Sequence, residues 1–301
     1  MSNDLFALAA ATCWAFGSML SVTPSRYLGA IAFTRWRMLM VAIMLWLAVL
    51  ALGGLQPISL MQFSLIALSG FVGIFIGDTA NFAAMNRLGP RRSGMLFSTN
   101  ALISVLLGFV IFDERMNLQT ALGAFMTIAG VMIAIMYGRR KTEDHGWESN
   151  FGYPGMGIAL GLLAALCHSV STMIAKPVMA GGMDPVLASA IRVSVSVCGH
   201  FVLLWSGISQ VQPKLRPTPR ILAQTALSGF VGMALGMTFL LLALRLGDLG
   251  MVAILSSVTP ILILPLLWIF LRRPPAKGAW FGAVLSVIGT ALILSRQNVS
   301  S

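Results

Sequence analysis

Asp78 sits in the stretch IGDTANF, inside a run of apolar residues, with Asn81 three positions on. It precedes Arg87 by nine residues, about 13 Å along a helix, which sets a carboxylate well inside an apolar segment. Asn81 falls on nearly the same helical face. An ionisable group in such a setting faces a cavity or a partner, because an unpaired charge in an apolar surround is costly. The chemistry on offer is binding of a cation or uptake and release of a proton. The structural alternative is an aspartate paired with Arg35 or Arg192. His168, in LCHSVST, lies mid-segment beside Ser169, Ser171 and Thr172. An imidazole there is suited to carrying or sensing a proton, or else makes a single interhelical hydrogen bond. Its apparent counterpart in the first segment is Trp14, a candidate cavity-wall aromatic or a plain packing residue. Asn100, in STNALIS, and His200 are weaker candidates, and His200 is expected off the cavity.

These residues need elements to hold them, and composition says which. The 301-residue chain is 57% hydrophobic and 10% charged, with a mean hydropathy of +0.88. Soluble domains carry roughly 25% charged residues, so the solvent implied is a lipid bilayer. The net charge of +11 does not point to nucleic acid, because the basic residues fall in short clusters between apolar runs, as loop charge does. Cys13, Cys167 and Cys198 all lie in apolar segments without CxxC spacing and are expected as small core residues. No basic stretch precedes the first apolar run, so it is expected to stay as a helix, and no lipidation signal is present. There is no HExxH, GxSxG or phosphate-cradling glycine loop, and the three histidines are far apart in sequence. Neither a cofactor nor a metal is expected.

A spanning helix needs about 20 mainly apolar residues. Ten runs qualify: 4–23, 31–52, 61–85, 93–112, 117–137, 155–175, 185–206, 221–244, 249–271 and 277–295. Between the fifth and sixth lies RRKTEDHGWESNFGYP, a hydrophilic linker over 139–154 that separates residues 1–138 from 155–301. The heptapeptide ALSGFVG occurs at Ala67–Gly73 and again at Ala226–Gly232, opening the third and the eighth run. Each copy continues into a GxxxG, Gly73/Gly77 and Gly232/Gly236. Gly123/Gly130 in the fifth run match Gly282/Gly289 in the tenth. Arg35 and Arg192 sit alike near the starts of the second and seventh. Five crossings separate the copies, so they run in opposite directions. The fold expected is an all-α integral membrane protein of ten transmembrane helices, built as two inverted five-helix repeats, an architecture that suits a midplane site served by alternating access. The paired GxxxG motifs are expected to let helices of one chain pack closely. At the position of Asp78 and Asn81 the second half carries Met237 and Leu240, so the acidic site belongs to one half only.

Basic residues favour one side. The loops after odd-numbered helices, with their flanking ends, hold Arg26, Arg35, Arg37, Arg87, Arg91, Arg92, Arg139, Arg140, Lys141, Lys214, Arg216, Arg220, Arg272, Arg273 and Lys277. The other side holds Arg115, Lys176, Arg192, Arg245 and Arg296. Positive loops stay cytoplasmic, which predicts both termini outside.

Ten helices in two inverted halves, each with a glycine-rich third helix, resemble the EamA-type drug/metabolite transporter superfamily. TRWRMLM carries an Arg near the start of the second helix, at Arg35. FDERMNLQTALGAFMTIAG supplies a Glu turn at Glu114 and a glycine-rich fifth helix through Gly123 and Gly130. SSVTPILILP resembles the family's ninth-helix proline segment through Pro260, and Lys176 stands where a basic residue commonly ends the sixth helix. Helix four departs from the pattern with STNALIS where a proline is often found, and helix nine ends in LRRPP without a Glu turn. The family commonly keeps both termini in the cytoplasm, opposite to the charge count. Glu114 and Arg115 are expected to anchor an interface.

The resemblance implies a secondary transporter of the cell inner membrane, acting as a monomer or homodimer. It would move a small organic solute, an amino acid or related metabolite, with export the family-level direction. A proton is the expected coupling ion, since no nucleotide-binding motif is present. The candidate pathway residues are Asp78, Asn81, His168, Trp14, Arg35, Arg192 and Asn100. The alternative class, an integral-membrane enzyme or a lipid-handling scaffold, requires a reactive cluster at one leaflet face. A central cavity at Asp78 and His168 separates the two.

Overall fold

The computed structural model describes residues 2–114, 117–137, 154–206, 211–271 and 277–295. The linker proposed over 139–154 falls almost wholly outside them, as do Arg115 and Arg296. Ten rods follow in chain order: α1 (Ser2–Leu28), α2 (Ala30–Ala51), α3 (Leu60–Gly70, Phe71–Asp78 and Thr79–Leu88), α4 (Pro90–Ser98 and Asn100–Phe112), α5 (Leu118–Tyr137), α6 (Pro154–Ala180), α7 (Pro185–Trp205), α8 (Pro219–Gly229, Phe230–Leu235 and Gly236–Leu246), α9 (Leu249–Ser256 and Thr259–Leu271) and α10 (Lys277–Ser295). Seven of them are long and apolar enough to cross a bilayer by themselves, and the apolar parts of α5, α9 and α10 are shorter. Among the described residues the ten rods match the ten apolar runs, with α1 and α6 each running about one turn further than those runs suggest. Leu47, Phe109 and Phe125 point outward, as lipid-facing side chains do.

Local chemistry sets the ends. Ser59 and Gln62 form a reciprocal capping box that starts α3. The Asp184 carboxylate accepts from the backbone amides of Val186 and Leu187, and Pro185 takes the first helical position of α7. Gly29 and Gly89, at φ 87° and 83°, turn the chain between α1 and α2 and between α3 and α4.

The halves interlock. α3 of the first half packs on α6 and α7 of the second, and α8 of the second packs on α1 and α2 of the first. The glycines explain how such close approach is possible. A Cβ on Gly17 of α1 would stand 2.7 Å from Gly232 Cα in α8, and one on Gly77 of α3 would stand 3.1 Å from Cys167 Cβ in α6. The GxxxG pairs therefore serve contacts within this chain. α5 and α10 cross at the other edge through the glycines matched by the repeat: a Cβ on Gly130 would meet Gly282 O at 2.5 Å, and one on Gly123 would meet Gly289 O at 2.8 Å. Gly123 thus faces Gly289, the repeat mate of Gly130, and Gly130 faces Gly282, the mate of Gly123, the exchange that a two-fold relation between antiparallel copies requires.

The heptapeptide now acquires a local meaning. In both copies the α-helix gives way at its phenylalanine to a wider π-helical stretch, Phe71–Asp78 in α3 and Phe230–Leu235 in α8. Such insertions are rare and gather at functional sites. α4 and α9 are likewise interrupted at matching places. Ser98 and Thr99 hydroxyls donate back to the carbonyls of Met95 and Leu96, and Ser256 and Ser257 donate to those of Ala253 and Ile254. Back-bonding hydroxyls accompany the break in STNALIS, at the place where the resembled pattern has a proline.

Candidate functional site

Two arginines lie in the slots left by the repeated glycines. Arg192 of α7 is 1% exposed, and its Cα is 2.5 Å from where a Cβ on Gly70 would stand. Arg37 of α2 is equally placed against α8, with its Nη2 2.9 Å from a Cβ on Gly232. Each is the eighth residue of its helix, α2 from Ala30 and α7 from Pro185. The partner of Arg192 in the first half is therefore Arg37, and the expected matching of Arg35 with Arg192 is corrected. The shift arises because a single residue joins α1 to α2, whereas Gly181–Asp184 join α6 to α7. Arg35 is buried near the far end of the bundle and donates to the Val211 carbonyl at 3.0 Å.

The two arginines meet different partners. Arg37 Nη1 lies 3.6 Å from Asp78 Oδ2, and its guanidinium also stands 5.3 Å from the centre of the Phe82 ring. The partner of Asp78 is thus neither Arg35 nor Arg192, although Arg192 is within electrostatic reach of it. In the second half Arg192 donates from Nη1 to the Met237 thioether, 3.2 Å, and from Nη2 to Ser171 Oγ, 2.7 Å. Met237 occupies in α8 the place of Asp78 in α3. The Nε of Arg37 and the Nε of Arg192 are both buried without an acceptor. Orphaned buried donors are rare enough in folded chains to ask for an explanation.

Between these charges, Trp14 of α1 and His168 of α6 meet edge to face, ring centres 5.5 Å apart and planes at 79°. Phe97, beside the break in α4, makes a second edge contact to His168, 5.2 Å between centres. Asn100 follows the break: its amide donates to Phe97 O, while its buried Oδ1 has no donor. Asn81 is half-buried on α3, and Leu240 takes its place on α8. A cavity of about 10 Å3, lined by His168, Thr172, Leu240, Leu244, Val252 and Ser256 among others, has room for about one water. Among the described residues, this cavity is too small to hold an organic solute. His168 borders this cavity and Asp78 does not. His200 is satisfied elsewhere: Nδ1 donates to Ser196 O, 2.8 Å, and Nε2 accepts from Thr79 Oγ1, 3.1 Å.

One end of the cavity is capped. The chain leaves α4 through Asp113 at φ 50°, which turns Glu114 back over the bundle. The Glu114 carboxylate accepts from Leu249 N at 2.7 Å and Gly250 N at 3.0 Å, amides of the first turn of α9 that have no acceptor within the helix, and forms an ion pair with Lys176. Glu114 belongs to the first half and its three partners to the second. It acts as the expected anchor.

Arg37, Ser171 and Met237 were absent from the candidates read in the sequence. Arg37 looked like loop charge two residues from Arg35. Counting eight residues into each helix, instead of matching the first Arg of each, would have found it.

The family model described as the EamA-like transporter family matches residues 1–136 and 155–295. A comparison with curated proteins finds no match. Among solved structures, one described only as the crystal structure of a protein shares 19% sequence identity, with a TM-score of 0.76 over 100% of this chain and 99% of that chain. That likeness is one of fold. The matched family accounts for both halves and for the helices that carry the buried charges, and the chain belongs to the EamA-like transporter family, a family of membrane transporters in the drug/metabolite transporter superfamily.

Proposed function

We propose that this protein is a secondary active transporter that carries a small organic solute, an amino acid or related metabolite, across the cytoplasmic membrane by alternating access. The observation that carries the reading is the buried constellation at the interface of the repeats: Arg37 with Asp78, Arg192 with Ser171 and Met237, and Trp14 against His168. Charges so placed are costly to keep in a bilayer. They sit beside two π-helical stretches and two interrupted helices, the kind of discontinuity that builds solute sites in inverted-repeat transporters.

The halves close on one face through Glu114, Lys176 and the α9 N-terminus. Opening that face separates residues of different halves, so it is a relative motion of the two repeats. Asp78 holds Arg37 through a 3.6 Å contact, beyond good hydrogen-bond length. A carboxylate held this loosely is suited to exchanging its ionic partner for a proton, which makes Asp78 the coupling residue in an export cycle driven by a gradient.

Arg35, Arg37 and Arg192 are buried and are not loop charge. Without them the basic residues still divide thirteen to four, which supports extracytoplasmic termini and, with them, an outward-facing Glu114 closure.

Counterflow in proteoliposomes with a panel of amino acids, amines and drugs tests the transport reading; absence of any saturable, protein-dependent flux contradicts it. Asp78→Asn tests the coupling: flux and its dependence on a pH gradient should both fall, and an unchanged dependence would sink Asp78 as the coupling residue.

A further inference from the structure

The two halves treat matching arginines differently, and the difference leaves a charge open. Arg37 has a carboxylate at 3.6 Å. Arg192, the largest fully buried side chain among the described residues, has a hydroxyl, a thioether and a free Nε–H. Met237 stands where the mate of Asp78 would be. Counted together, Arg37, Asp78 and Arg192 carry one uncompensated positive charge at the heart of the bundle. The guanidinium is also held in place: Ser171, which accepts from its Nη2, is itself hydrogen-bonded to Ser69, 2.8 Å from hydroxyl to carbonyl. It is therefore held in place with its Nε–H unspent.

Its surroundings connect it to the cavity. Met237 is one helical turn from Leu240 on α8, and Ser171 lies between His168 and Thr172 on α6. Leu240, His168 and Thr172 all line the 10 Å3 cavity. Arg192 is thus just behind the cavity wall, within electrostatic reach of His168, and would be met by a solute once the halves part.

We infer that Arg192 is the anchoring site for a carboxylate on the transported solute, and that Met237 keeps this site vacant by withholding the counter-ion that its twin supplies to Arg37. A guanidinium takes a carboxylate through parallel charge-assisted hydrogen bonds. A single negative charge neutralises the cluster, whereas a phosphate dianion would overshoot it. The inference rests on the transport reading and specifies the chemistry of its solute.

The test compares matched pairs: benzoate with benzamide, lactate with lactamide, and L-alanine with alaninamide. Saturable shifts in thermal unfolding of the purified protein report binding, and counterflow in proteoliposomes reports transport. At least one carboxylate should bind about tenfold or more tightly than its amide. Met237→Asp rebuilds the Arg37–Asp78 arrangement in the second half, so it should remain folded and lose that preference by a similar factor. Amides that bind as well as every carboxylate overturn the inference, as does a Met237→Asp protein that keeps the preference. If Met237→Asp does not fold, the wild-type comparison alone decides. Carboxylate-selective binding without flux of any solute would uphold the site and contradict the transport reading; flux without carboxylate selectivity would do the reverse.

Discussion

Trp14 and His168 are the same position in the two repeats, and they touch. Their rings meet edge to face at 5.5 Å, so the pseudo-two-fold axis passes between an indole and an imidazole. One contact at this axis ties α1 to α6, the first helices of the two halves. An aromatic pair of this kind contributes about 0.5–1.5 kcal/mol beyond its buried area. A double-mutant cycle of Trp14→Ala and His168→Ala, read by unfolding in detergent, should return a coupling in that range. Strict additivity would mean that the rings do not meet in the folded protein.

Glycine substitutions should separate contact from composition. Gly130→Ala drives a methyl group to 2.5 Å from Gly282 O, and should cost about 1–3 kcal/mol by overpacking the α5–α10 crossing. Gly94, in α4, has nothing within 4 Å of its added Cβ. Gly94→Ala should be neutral or gain up to about 1 kcal/mol from helix propensity. Equal effects in the two variants would show that α5 and α10 do not approach as described.

The buried pair of Arg37 and Asp78 should behave as a unit. Asp78→Ala strands a guanidinium that is 5% exposed. Breaking such a pair costs about 3–5 kcal/mol, and the partial exposure of the Asp78 side chain, 20%, favours the lower end. Arg37→Met combined with Asp78→Leu should recover most of that stability while abolishing transport. A double variant no more stable than the single one would show that the two charges are not coupled.

How far the sequence could be read is clearest from these residues. ALSGFVG revealed the scaffold because close helix crossings demand small residues, and that demand is written in both copies. Asp78 and His168 stood out because charge and imidazole are rare in apolar runs. Arg37 was hidden, since an arginine beside another near a helix start looks like loop charge until the helix register is known. Met237 was noticed only as the residue that is not aspartate. Its meaning depends on Arg192 reaching across from α7, a tertiary contact that no spacing along one helix encodes. The π-helical stretches leave no mark that separates them from ordinary apolar helix.

The contact between the halves at the Glu114 face can be weakened at Lys176. Lys176→Met removes its ion pair with Glu114 but keeps an apolar stem against Phe112, over which the ammonium now stands at 4.8 Å. A cysteine replacing Ser256, which lines the cavity, should then react severalfold faster with an impermeant maleimide added from that face, in a protein otherwise lacking cysteine. An unchanged rate would mean that the pair does not hold the closure.

The central claim is that one midplane cavity is reached from the two sides in turn. Thr172→Cys in a background without Cys13, Cys167 and Cys198 places a single thiol in that cavity, and its labelling is measured in right-side-out and inside-out vesicles. Labelling should occur from both faces. A cross-link between cysteines replacing Glu114 and Leu249 should abolish it from the Glu114 face and preserve or raise it from the other. Labelling from one face alone, or equal slowing from both faces on cross-linking, would contradict alternating access.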